Sequence, residues 1–273
     1  MNMAQTHTPV PNLQQRCPER LVQLADGAQL AIRECGQGPV VVLLHGIGSG
    51  SASWLHCAQR LAAGNRVIAW DAPGYGLSTP LPPARPKACD YAACLELLLD
   101  ALGVESCLLV GHSLGALMAT AYAAGIGAAR VRRLVLLSPA RGYGAAELRD
   151  SGAQVRRQRL ENRERRNPSE EALAWVRWNM ARLNPEGYRQ AVELLCGDDL
   201  LGNGQPAAPC EVHCGEDDGI TTPESCGAIA RQLGASFSSI PGAGHASPIE
   251  QPEVVAGRIG HAQRLSLEGT ANG

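Results

Sequence analysis

Apolar positions along this chain follow two rhythms that take turns. Short runs, either alternating or continuously apolar, recur at 19–24, 30–35, 39–44, 66–70, 106–110, 133–137, 209–214 and 236–240 and read as strands. The first two flank the turn signal Asp26-Gly27 and predict a hairpin. The third, Pro39-Val-Val-Val-Leu-Leu44, lacks polar alternation, as expected of a strand covered on both faces. Helical stretches at 53–62, 90–102, 114–124 and 224–233, and a last one after Pro252, fall between or after the strands. Such alternation predicts an α/β fold with a mostly parallel sheet and crossover helices. Between 141 and 207 the chain is charged and helix-prone, is interrupted at Pro168 and Pro185, and has no strand pattern. The expected organisation is therefore an α/β core over 18–140 and 208–265, a helical insertion over 141–207, a mobile N-terminal tail over 1–17 and a flexible C-terminal tail over 266–273.

Composition narrows the function classes. The 273 residues are 45% hydrophobic but only 4% aromatic, so the core must be built from Leu, Val, Ala and Ile rather than from rings. No window approaches the roughly 18 apolar residues of a membrane span, and the first residues lack a signal-peptide pattern, so neither a membrane nor secretion is expected. A net charge of −2 leaves no electrostatic footprint for nucleic acid. The expected partner is a small molecule, bound by a monomer or homodimer. Ten cysteines without a C-x-x-C pair read as reduced thiols, which suggests a cytoplasmic protein. The nearest approach to a metal cluster is Cys210, His213 and Cys214. Because Cys210, Val212 and Cys214 share one strand face, structural cysteines are expected there, with no metal and no cofactor.

The chemistry is concentrated in Gly111-His112-Ser113-Leu114-Gly115, a G-x-S-x-G motif between a strand and a helix. A serine at so tight a turn is exposed at a helix N-terminus, where amides and the helix dipole favour developing negative charge. A serine hydroxyl is a weak nucleophile at neutral pH. It needs an imidazole to take its proton and a carboxylate to fix that imidazole's tautomer.

Taken with four other motifs, this segment resembles the α/β-hydrolase family, in its serine-nucleophile branch with a helical cap after the sixth strand. The others are His45-Gly46, Asp71-Ala-Pro-Gly-Tyr-Gly-Leu-Ser78, Gly215-Glu-Asp-Asp218 and Pro241-Gly-Ala-Gly-His245. The resemblance covers residues 20 to 262. It implies Ser113 as nucleophile, His245 as base and Asp218 as acid. Asp217 competes for the acid's role, because Gly219-Ile-Thr-Thr-Pro223 is one residue longer than the usual form; Asp198 and Asp199 are more distant candidates. The oxyanion hole would be the amides of Ile47 and Leu114. His112 is expected to pack at the elbow, His45 to support the oxyanion loop, and Asp71 to bind loop amides.

Substrate contacts are sought in the insertion. Arg141, at its start, could meet an anion, and Trp178 could reach the pocket beside Trp175 and Met180. Arg156, Arg157, Arg159, Arg163, Arg165 and Arg166 form a basic run whose ordinary role is a solvated face. A serine nucleophile argues against the dehalogenases and epoxide hydrolases, which look similar but carry aspartate. Gly-His-Ala-Ser-Pro-Ile-Glu-Gln-Pro252 is similar to enol-lactone hydrolases, so the expected reaction is hydrolysis of a small carboxylic ester or lactone. The meta-cleavage-product C–C hydrolases resemble the chain in size and cap but differ at His112 and Ala246. A non-catalytic, receptor-like binder on the same fold is the third reading.

Overall fold

Val40–Leu44 shows how the sheet is made. Val42 and Leu44 face one apolar cluster while Val41 and Leu43 face another, so both faces of the strand are dry. The computed structural model describes residues 15–143 and 170–271. Within them the chain forms β1 (Glu19–Gln23), β2 (Gln29–Cys35), β3 (Val40–Leu44), a 3-10 turn (Ser51–Trp54), α1 (Leu55–Leu61), β4 (Arg66–Trp70), α2 (Ala88–Ala101), β5 (Cys107–His112), α3 (Leu114–Ala124) and β6 (Val131–Leu137). After the insertion's helices α4 (Glu170–Ala181) and α5 (Pro185–Gly197) come β7 (Cys210–Gly215), α6 (Pro223–Leu233), β8 (Ser236–Ile240), α7 (Ser247–Glu250) and α8 (Pro252–Ala271).

The eight strands form one sheet in the order β1-β2-β4-β3-β5-β6-β7-β8. The pairs β1–β2 and β2–β4 are antiparallel and the remaining pairs are parallel. This is the mostly parallel sheet that the strand and helix alternation predicts. Helices α2, α3 and α6 cover one face, and α1 and α8 the other. Parallel strands bring the carboxyl ends of β3, β5, β6, β7 and β8 to one edge, where ligands of open α/β sheets bind. Among the described residues no helix is long and apolar enough to cross a membrane.

Two expectations change. Helix α8 continues to Ala271, so a flexible tail does not begin at 266; Ala262, Gln263 and Ser266 are buried, and Ser266 Oγ donates to the carbonyl of Gln263. Cys17 and Cys35 are joined by a disulfide, with Cα atoms 5.0 Å apart, so these two of the ten cysteines are not reduced. The hairpin accounts for the pairing. Glu19 lies opposite Arg33, and two residues further along the same register Cys17 lies opposite Cys35. An argument for the cytoplasm from wholly reduced cysteines therefore fails, and Cys17 is a buried anchor rather than part of a mobile tail. Residues 1–14 and the arginine run at 156–166 lie outside the described residues.

Candidate active site

Between β5 and α3 the chain turns so sharply that Ser113 has φ 53° and ψ −116°, a strained conformation for a residue with a side chain. The flanking glycines allow it. A Cβ on Gly111 would meet the carbonyl of Gly115 at 2.5 Å, and one on Gly115 would meet the carbonyl of Leu44 at 2.4 Å. The hydroxyl of Ser113 therefore stands at the N-terminus of α3, at the carboxyl edge of the sheet.

Two loops bring the partners. His245 follows β8, and its Nε2 lies 3.0 Å from Ser113 Oγ. Its Nδ1 lies 2.9 Å from Asp218 Oδ2, in the loop after β7. When Nδ1–H donates to the carboxylate, Nε2 is left as an acceptor facing the serine proton. Glu250 on α7 holds the histidine loop from behind, accepting from the amides of Gly244 at 2.6 Å and Ala246 at 3.0 Å.

Of the adjacent aspartates, Asp218 is buried against His245, whereas Asp217 is exposed and its amide bonds the carbonyl of Ala243. Burial alone would push the Asp218 pKa up. The hydrogen bond and charge of His245, the amide of Ile220 and the Ser138 hydroxyl outweigh it and hold this carboxyl well below the usual carboxylate range. Asp218 is thus an ionised acceptor. Asp198 and Asp199 serve elsewhere, at the end of the insertion: Asp198 accepts from the amide of Ala88, and Asp199 pairs with Arg141.

Among the described residues, no acceptor takes the amide of Ile47 or of Leu114. The loop carrying Ile47 lies against Ser113, since a Cβ on Gly46 would come within 2.9 Å of Ser113 Cβ. His45 pins this loop by accepting from the amide of Ala72 at 3.0 Å while its other nitrogen faces the carbonyl of Gly46 at 2.8 Å. Asp71 accepts from the amide of Ser51 at 2.6 Å. His112 is buried under the elbow, with Nε2 2.7 Å from the carbonyl of His245. Burial, with the like charge of His245, lowers its pKa to about 3, so it acts as a neutral donor. Burial also lowers the pKa of His45.

The two expected substrate contacts are placed differently. Trp178 is buried at the junction of cap and core, with the guanidinium carbons of Arg182 and Arg33 at 4.5 and 6.0 Å from its ring centroid. Glu19 bridges both arginines, 2.6 Å from Arg182 and 3.4 Å from Arg33. Arg141 directs Nε and Nη2 at the two carboxylate oxygens of Asp199, 3.1 and 3.2 Å away. Met180 and Tyr188 lie against the loop after β3, at 3.4 and 4.0 Å from the Cβ position of Gly48. Nothing in the local pattern singles out Tyr188. His213 points to Ser238 on the β7 face opposite Cys210 and Cys214, so these three side chains do not converge.

Residues 41–258 match the model of the family described as alpha/beta hydrolase. The chain belongs to the alpha/beta hydrolase family. It is 32% identical over 138 residues to 2-hydroxy-6-oxononadienedioate/2-hydroxy-6-oxononatrienedioate hydrolase 1 of Dechloromonas aromatica, across 48% of this chain and 47% of that protein. It thus spans about half the length of that curated relative. Among solved structures, a thermophilic esterase from Thermogutta terrifontis superposes with a TM-score of 0.74 at 26% identity, covering 91% of this chain and 98% of the esterase. The enol-lactonase of Burkholderia xenovorans superposes with a TM-score of 0.74 over 90% of this chain and 100% of its own; at 22% identity that likeness shows the fold alone.

Proposed function

We propose that this alpha/beta hydrolase cleaves a small carboxylic ester or lactone through an acyl-enzyme on Ser113. The observation that carries the reading is one geometry: a strained serine 3.0 Å from an imidazole whose far nitrogen is 2.9 Å from a buried carboxylate. His245 Nε2 takes the Ser113 proton as Oγ attacks the carbonyl carbon. Asp218 stabilises the imidazolium, and the amides of Ile47 and Leu114 receive the oxyanion. The imidazolium then protonates the leaving alcohol, and a water activated by the same nitrogen releases the acid. In a lactone the alcohol so formed stays tethered to the acyl group throughout, so the last step releases a single hydroxy acid. No metal or cofactor takes part.

Turnover of p-nitrophenyl esters of graded chain length beside a panel of small lactones tests the reading. Hydrolysis is expected in at least one series and absent in Ser113→Ala. A second reading, hydrolysis of a C–C bond in a dienoate of the meta-cleavage type, draws on the Dechloromonas relative. A dienoate consumed while every ester and lactone is left intact would favour it. Binding without turnover in all three series would favour the receptor-like reading.

A further inference from the structure

The loop after Asp218 carries two threonines in succession with different surroundings. Thr222 is exposed and caps α6: its hydroxyl accepts from the amide of Ser225 at 3.3 Å, with Pro223 in the first turn. Thr221 turns inward. Its Oγ1 lies 2.9 Å from Asp218 Oδ2, 3.2 Å from His245 Nδ1 and 3.1 Å from the carbonyl of Ser138. Its amide donates to Asp218 Oδ1 at 3.0 Å, and its carbonyl faces the thiols of Cys214 and Cys226 at 3.1 and 3.4 Å. Amide, carbonyl and hydroxyl are all engaged, so the side chain has little freedom to turn away.

A hydroxyl has one proton to donate, and two of its three neighbours can only accept. The carboxylate oxygen is the nearer and the charged one, so the proton goes to Asp218 Oδ2. The lone pairs of Oγ1 then face Nδ1–H of His245, which is shared between Oδ2 and Oγ1. We propose that Thr221 is a positioning residue of this site, its hydroxyl bridging acid and base so that the imidazole keeps its aim at Ser113. The inference rests on the Ser113–His245–Asp218 reading above.

Removing the hydroxyl has two consequences. The imidazole loses one of the two groups that orient it, and Asp218 Oδ2 loses a competing donor, which leaves more of its charge to favour the protonated base. Other titratable groups near His245 are His112 at the end of β5, with ring centroids 5.1 Å apart, and Glu250 on α7, which accepts from the amides on either side of His245, with Cys214 on β7 against Asp218. None of these is altered by a change at Thr221.

The test compares Thr221→Val, Thr221→Ala, Thr221→Ser and Thr222→Val with the unaltered chain, on whichever ester or lactone is turned over, as pH profiles of kcat and kcat/KM beside thermal melts. In Thr221→Val, kcat is expected to fall about tenfold with KM within about twofold, and the acid limb of kcat/KM to move up by about half a pH unit. Thr221→Ser should restore both. Thr222→Val should lower the melting temperature and leave the limb in place. If Thr221→Val does not fold, the contrast between Ala and Ser at the same position carries the test. An unmoved limb in both Val and Ala variants, or a Ser variant as impaired as Ala, overturns the inference. Ser113→Ala separates this failure from that of the parent reading: an active Ser113→Ala sinks the nucleophile, whereas an inert Ser113→Ala beside unperturbed Thr221 variants sinks only the threonine.

Discussion

The reactive end of the sheet and the base of the cap are both built from buried polar groups, yet they are held in different ways. At the reactive end each functional group is fixed within its own loop: Ser113 by the glycines of its turn, Asp218 by the amides of Ile220 and Thr221, and His245 by amides bonded to Glu250 five residues on. Among the described residues of the cap most anchors come from far along the chain, the stacking of Arg182 on nearby Trp178 apart. Arg182 reaches Glu19, Trp178 packs between Arg33 and Arg182, and Gln190 donates to the carbonyls of Leu81 and Pro83 at 2.7 and 2.9 Å. The lesson is one of division: local geometry defines the chemistry, and long-range ion pairs and stacking define where the roof sits. Changes at one region should therefore leave the other nearly untouched.

The largest break in that division should come at the acid. Asp218→Asn presents an amide to Nδ1 and favours the wrong tautomer, so kcat should fall by about 10⁴, as for the equivalent change in a serine protease. Asp217→Asn should alter kcat by less than about tenfold, or ~1.4 kcal/mol in the barrier. Reversed magnitudes would mean that the long loop sets the other aspartate against His245 in solution. Next is Trp178→Ala, which removes the side chain joining α4 to the core and should cost about 3–5 kcal/mol in urea unfolding. Reaction of Ser113 with a small fluorophosphonate should stay within about threefold, a barrier change under about 0.7 kcal/mol. A labelling rate that collapses with Trp178→Ala would show the two regions to be one unit.

The most gradual effect is one of pH, and it belongs to the reactive end. His112 has a folded pKa of about 3 against an ordinary value near 6.5, so between these values the unfolded chain binds a proton that the folded chain refuses. Its contribution is complete above pH 6.5 and declines as pH falls, by up to about 1.4 kcal/mol per pH unit. His45, lowered by burial, works in the same direction. Asp218, held below its ordinary value, adds a loss that begins only as pH falls through the unfolded value near 4. His112→Gln keeps a donor toward the carbonyl of His245 and should flatten the slope of unfolding free energy between pH 7 and 5. An unchanged slope would contradict a neutral, buried imidazole.

This contrast also explains what could be read from the sequence. The strands and the elbow were legible because their signals are short-range: alternating apolar residues, and a glycine two positions on either side of Ser113. The pairing of Cys17 with Cys35 was within reach, since both are nine residues from Asp26 at the hairpin's turn. Thr221 belongs to no motif, and its neighbours Asp218, His245 and Ser138 meet it only through the fold. Trp178 and Arg141 looked like ligand contacts because an aromatic ring and a guanidinium suit that task. Their partners Arg33 and Asp199 lie 145 and 58 residues away, and no local pattern discloses such contacts.

The central claim is that His245 and Asp218 activate Ser113, and covalent labelling tests it most directly. The protein is treated with a fluorophosphonate, digested and mapped by mass spectrometry, with the labelling rate followed in the unaltered chain and in His245→Ala. The account predicts one adduct per chain, on the peptide containing Ser113, formed at least about 10³-fold more slowly in His245→Ala, which is ~4 kcal/mol in the barrier. An unmodified Ser113, an adduct on another residue, or equal rates in the two proteins would contradict it.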